Sequence, residues 1–223
     1  MKFEGWKGKL YWTVELITLL AVLQLMWIGL TLLGLVLFGI TPATVAMFTT
    51  LRKRLQGEDD LKLLVKTYWK TYKLDLISSN KIGIIILGIG YFLTINFQII
   101  SLFHGMTGLL LLTFFMTVSI LFCIMVLNIF QIYAHYELPS IRYFAVSILF
   151  SVAYPLQMIG SIVGLAALYL IFSWIPGLLP FFGVSLTALF LSWMSSHIFK
   201  KKTEAEAGAQ IKAEHYPNEG VTS

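Results

Sequence analysis

Long continuous apolar runs, rather than alternating short ones, dominate the pattern of the chain. Four are plain, at about residues 82–102, 109–132, 144–172 and 178–199. Each comes near or above the ~20 residues a helix needs to cross ~30 Å of hydrocarbon. A β-barrel would instead alternate over segments of ~10 residues, so the pattern selects helices. The first apolar region, residues 10–50, is the difficult one, because forty residues of helix would be ~60 Å long. It is either one long span with a surface extension or two spans joined by a tight turn. A turn at residues 29–34, around Thr31, gives helices over 10–28 and 32–51. Pro42 then falls inside the second of these and predicts a kink or a fresh helix start, with Thr41 placed to cap it. A break of this kind inside a membrane is more often a packing kink than a binding site.

Between this region and the next run, residues 58–79 change period. Leu61, Leu64, Val65, Tyr68, Tyr72 and Leu76 recur at helical spacing on one face, and Lys62, Lys66, Lys70 and Lys73 fall away from it. Glu58, Asp59 and Asp60 stand at the start, where negative charge suits the helix dipole. Trp69, Tyr68 and Tyr72 are residue types that favour a bilayer interface. The expectation is a basic amphipathic helix on the inner leaflet. In its plain form it is a strut on anionic lipid; in its sharper form Lys62, Lys66, Lys70, Lys73 and Trp69 contact a cytoplasmic partner.

Charge sets the orientation. The segment from Arg52 to Lys81 is rich in lysine and arginine, the connection after 132 carries Arg142, and the tail opens with Lys200, Lys201 and Lys202. The connections at 104–108 and 173–177 hold no lysine or arginine. By the positive-inside bias the basic segments are cytoplasmic, and Lys2, Lys7 and Lys9 place the N-terminus there too. Six spans follow, in an all-α polytopic bundle covering residues 1–202 with both termini inside; five spans with the N-terminus outside is the alternative. The first apolar stretch is too long for a cleaved signal peptide and reads as a retained anchor. Residues 203–223, with Glu204, Glu206, Lys212 and Glu214 among small residues, are expected to be a disordered cytoplasmic tail.

Composition agrees: the 223 residues are 58% hydrophobic and 12% charged, with a mean hydropathy of +0.82. A soluble fold of this size cannot hide so much apolar surface, whereas in lipid only the backbone polar groups must be paired internally. The net charge of +5 is topological bias and attraction to anionic lipid, because no basic folded face suited to nucleic acid is visible.

Candidate chemistry is sparse. Asn128, Gln131 and His135 share a helical face and either hydrogen-bond across to a neighbouring helix or line a polar solute path. Glu15 is the one acid well inside a predicted span, placed to reach headgroups or pair with a nearby lysine. Asn96 and Gln98 lie toward an outer end, and Cys123 reads as a packing residue. The four histidines lack metal-ligand spacing, and no phosphate loop, nucleophile elbow or carboxylate pair occurs. No enzyme activity and no cofactor are expected. Gly160 and Gly164 form a small-x-x-x-small packing motif, and Ser192 and Ser196 repeat its spacing. Pro42 and Pro155 do not come with matching halves, so an internal transporter repeat is not apparent.

From Trp27 the chain reads Trp-Ile-Gly-Leu-Thr-Leu-Leu-Gly-Leu-Val-Leu-Phe-Gly-Ile-Thr-Pro-Ala-Thr, then passes through Arg52-Lys53, Gly57-Glu58 and Trp69-Lys70-Thr71-Tyr72. Together with Gly34, Phe38-Gly39 and Pro42-Ala43-Thr44 these elements resemble the YesL-like family of bacterial integral membrane proteins, a family named for a domain of unknown function. The specific part lies within residues 10–80; Arg54 and Gln56 depart from the family pattern. The resemblance implies the plasma membrane of Gram-positive-type bacteria and, through neighbouring genes, an accessory role in carbohydrate uptake beside an ABC-transporter permease or a membrane sensor. It supplies no catalytic or binding residue. A small-solute transporter, which at six spans would need to form a homo-oligomer, is the alternative function.

Overall fold

The computed structural model describes residues 6–136 and 139–196. Helix α1 (Trp6–Leu33) runs straight through Gly29 and Thr31, and the chain turns at 34–39 instead of at 29–34. The reason is close packing of backbone. A Cβ on Gly34 would collide with Gly39, and one on Gly39 would collide with the carbonyl of Thr31, whereas Gly29 faces open space. The turn also holds Leu35 (φ 53°) and Val36 (φ 65°) in the left-handed region, which a β-branched residue adopts at a cost.

Helix α2 (Ile40–Leu55) follows, so Pro42 lies in its first turn. There the missing N–H is one that has no helical partner anyway. Proline therefore opens a helix and does not kink one, and Gly39, not Thr41, is the capping residue. Trp27 Nε1 donates to Thr44 Oγ1 at 3.0 Å, and Arg54 Nη2 stands 3.5 Å from Glu15 Oε2, so α1 and α2 form an antiparallel hairpin. The partner of Glu15 is thus an arginine of the next helix and not a lysine.

The amphipathic segment divides in two. Helix α3 (Leu61–Leu74) is capped by Asp60, whose carboxylate accepts from the Lys62 N–H at 2.9 Å. The chain breaks at Asp75, and α4 (Leu76–Ile100) begins at once. Its partner α5 (Gly105–His135) returns alongside it, with Ile82 packed against Ile129 and Ile132. The single span expected over 144–172 is two helices, α6 (Ser140–Ala153) and α7 (Pro155–Trp174). Tyr154 (φ −128°, ψ 64°) is non-helical, as the residue before a proline tends to be. The last described element, α8 (Pro176–Ser196), opens in a 3-10 turn at Pro176–Leu178. The predicted tail at 203–223 lies outside the described residues.

Among the described residues five segments are long and apolar enough to cross a membrane: Trp12–Leu33, Leu76–Ile100, Gly105–His135, Pro155–Trp174 and Pro176–Ser196. Helix α2 is not among them. It has 16 residues and three of its last four are Arg52, Lys53 and Arg54, which leaves an apolar part of only ~18 Å.

The surface is apolar, unlike that of a soluble protein, and the interior adds buried polar side chains to an apolar core. Leu87, Phe92, Leu110, Phe114 and Tyr169 point outward, while Gln24, Asn80, Asn128, Gln131, Ser147 and Ser185 are buried. That is the arrangement expected where the surroundings are as apolar as the core. The main core joins Leu19, Leu20 and Leu23 of α1 to Ala46, Met47 and Leu51 of α2, Leu64 and Tyr68 of α3, and Ala188 and Leu191 of α8. Gln24 Oε1 ties α1 to α8 by accepting the N–H groups of Val184 (3.1 Å) and Ser185 (2.9 Å).

Candidate functional site

Two features gather the chemistry of the chain. The first is a polar cavity of about 810 Å³ where α2, the α3–α4 junction, the end of α5 and the start of α6 converge. Helix α2 contributes Thr49 and Arg52, one turn apart on a single face. Arg52 is at the basic end of its helix and donates through Nη1 to the Ala134 carbonyl in the last turn of α5, a position that favours cations. Its Nε is buried without an acceptor. Asp75, at the break between α3 and α4, also lines the cavity and accepts a hydrogen bond from the Tyr133 hydroxyl at 3.3 Å. The Tyr133 ring stacks on Tyr143 at 4.7 Å, and Tyr143 in turn donates to the Tyr136 carbonyl at 2.8 Å. These contacts link Asp75, Tyr133, Tyr143 and Tyr136 into one connected wall.

Of the three residues predicted to form a polar face, only His135 reaches this cavity. Its Nδ1 lies 2.9 Å from the Gln131 carbonyl. Asn128 and Gln131 are buried deeper along α5. Asn128 Nδ2 is within 3.0 Å of Ser151 Oγ on α6 and of Met158 Sδ on α7, so it braces both helices beside their break. Gln131 donates to Leu127 of its own helix, leaving Oε1 buried without a partner, as are both side-chain polar atoms of Gln157.

The second feature is the outward side of α3. Leu64, Tyr68 and Tyr72 are buried against α1 and α2, and the two tyrosines donate to the carbonyls of Ala43 (2.9 Å) and Leu30 (3.1 Å). Burial raises the pKa of both hydroxyls. Three residues of the apolar face expected to lie on lipid are therefore covered by the protein itself, while Leu61 and Val65 stay partly exposed and Leu76 exposed. What remains exposed is Lys62, Lys66, Lys70 and Lys73 with Leu63, Trp69 and Leu74 among them, and the Lys73 ammonium lies 4.7 Å above the indole.

Other predicted positions take ordinary places. Gly160 and Gly164 face Met194 and the Phe190 ring of α8. Ser192 is buried, Asn96 bonds back to Phe92, and Cys123 is exposed instead of packed. Among the described residues no three of His, Cys, Asp and Glu gather as a metal site would require. Sequence reading missed Arg52, Asp75 and Tyr133 as neighbours, because 23 and 58 residues separate them; an acid and an arginine at the very edges of apolar helices were the available signal.

The family model described as "Protein of unknown function, DUF624" matches residues 20–97, which carry the second half of α1, the turn, α2, α3 and most of α4. Three relatives come from Bacillus subtilis (strain 168). The uncharacterized protein YteU is 34% identical over 186 residues, 83% of this chain and 83% of the relative. The uncharacterized protein YesV is 32% identical over 88% of this chain and 94% of its own length, and the uncharacterized protein YesL is 29% identical over 84% and 88%. No solved structure matches. Likeness of this extent, on a helical bundle with several apolar spans, makes the chain a member of the YesL-like family of membrane proteins, whose domain is described as of unknown function.

Proposed function

We propose that the protein is a non-enzymatic accessory component of the plasma membrane that serves carbohydrate uptake by holding a partner on the outward face of α3. The observation that carries this reading is that Leu64, Tyr68 and Tyr72 of α3 are spent on α1 and α2, which leaves an exposed side of mixed character in which lysines stand among Leu63, Trp69 and Leu74. Four lysines around a half-exposed tryptophan remain, a composition suited to an acidic protein surface or to anionic headgroups. The setting in carbohydrate uptake comes from the family resemblance, and the partner that fits it is an ABC-transporter permease or a membrane sensor. A photo-reactive residue at Trp69, with cross-linking mass spectrometry in native membranes, tests it. The expected product is a cross-link to one permease or sensor, lost on reversing Lys62, Lys66 and Lys70 to glutamate. Cross-links confined to lipid would leave only the strut role.

One observation favours a small-solute transporter as the second reading. Buried Gln131 and Gln157 have polar atoms without partners, and such groups are expensive in hydrocarbon unless a path or a solute meets them. Flux in proteoliposomes that Asn128→Leu or Gln131→Leu abolishes would support it, and no flux over a broad solute panel would remove it.

A further inference from the structure

The polar cavity carries an inference of its own, independent of any partner on α3. Its volume of about 810 Å³ falls in the range of small-molecule sites, roughly 300–1,000 Å³. Many hydroxyl groups on these helices return their proton to the carbonyl one turn back, as Thr44, Thr50, Thr94, Thr113 and Ser147 do. Thr49, Thr71 and Ser78, which line the cavity, make no such bond among the described residues. None of the three residues is fully buried, so their hydroxyls are available to a molecule in the cavity. Arg52 adds a guanidinium held in place by one carbonyl, with a buried N–H that still lacks an acceptor. A buried donor on a cation is costly to leave unmade, and a planar guanidinium matches an oxyanion. Asp75, which also lines the cavity, presents a carboxylate steadied by Tyr133, which repels a bare anion but accepts from hydroxyl or ammonium groups.

We propose that this cavity binds a small oxyanion, a phosphate ester or carboxylate, that carries hydroxyl or ammonium donors beside its charge. Arg52 holds the charged end, Thr49, Thr71 and Ser78 complete its hydrogen bonds, and Asp75 selects for the donors. The same chemistry occurs in a soluble phosphate ester and in a lipid headgroup, so the test has two arms.

Full-length protein in detergent is titrated with glycerol 3-phosphate, inorganic phosphate and glycerol, read by equilibrium dialysis and by thermal unfolding. In parallel, its unfolding is compared in nanodiscs of phosphatidylglycerol and of phosphatidylcholine. Saturable binding of glycerol 3-phosphate, tighter than phosphate and absent for glycerol, is the expected result for a soluble ligand. Stabilisation in phosphatidylglycerol alone assigns the site to a headgroup. In either arm Arg52→Gln weakens the effect roughly tenfold or more, and Asp75→Asn reduces the preference for glycerol 3-phosphate over phosphate. Because Arg52→Gln also removes a helix contact, the pair Thr49→Val and Thr71→Val supplies a milder variant with the same direction of change. No saturable effect in either arm, or an effect untouched in folded Arg52→Gln and in the threonine pair, overturns the proposal.

Discussion

Arg54 illustrates how a single charged residue is made tolerable inside this molecule. Its side chain is 3% exposed and meets Glu15 at ion-pair distance, the Asp59 carboxylate, and the Trp12 ring at 5.7 Å. Removing one member of such a set strands the other in a poorly solvated place. Arg54→Leu is expected to lower stability by about 3 kcal/mol, measured by thermal or SDS unfolding in detergent, whereas Lys53→Leu stays within about 0.5 kcal/mol, as exposed changes usually do. Adding Glu15→Leu to Arg54→Leu should recover part of the loss. Tyr68 and Tyr72 make a second prediction. Burial raises both hydroxyl pKa values above the ordinary 10.0, so the fold favours their neutral forms. Stability from this source is complete below pH 10 and declines as pH rises beyond it, because the unfolded chain then releases protons that the fold retains. The double change Tyr68→Phe and Tyr72→Phe is expected to flatten the alkaline limb of a stability profile.

At the scale of elements, close approach rather than apolar matching decides which helices pair. Gly164 lets the Phe190 ring of α8 sit where a Cβ would stand, and packing of this kind holds helices together in lipid, where hydrophobic burial between them is weak. Gly164→Val forces that ring aside and is expected to cost about 1–3 kcal/mol. Phe190→Ala in the same chain should return part of it, and SDS unfolding of the two single variants and the double reads the coupling. The breaks follow the same logic. Proline at the first turn of α2 and of α7 starts each helix without losing a bond, and Asn128 then braces α6 and α7 across the second break.

For the whole molecule, the course of the first hairpin is the consequential feature. Its tip at 34–39 is entirely apolar and largely exposed, yet the Phe38 carbonyl accepts from Asn80 at 2.9 Å. Asn80 precedes the exposed Lys81, and about 30 Å of α4 separates it from Ile100. The tip is thus seated beside the basic end of α4. A cysteine at Leu37 is expected to share the membrane face of one at Lys73, opposite to one at His104. Labelling of whole cells and inverted vesicles with an impermeant maleimide checks this; labelling of Leu37→Cys from the His104 side would sink it and restore a hairpin that crosses completely.

The helical membrane character was legible in the residues alone. In lipid each backbone group must be satisfied within its own segment, so a continuous apolar run is enough to specify a spanning helix. The period of α3 was legible for the same reason: amphipathicity is written in residues three and four apart. Tertiary contacts decided everything that depends on which distant residues meet. They moved the first turn from Gly29 to the Gly34–Gly39 crossing, gave Glu15 an arginine partner, and covered the tyrosines of α3 with protein instead of lipid. They also brought Arg52, Asp75 and Tyr133 to one cavity. No local pattern encodes these meetings, since each rests on the shape of a surface some tens of residues away.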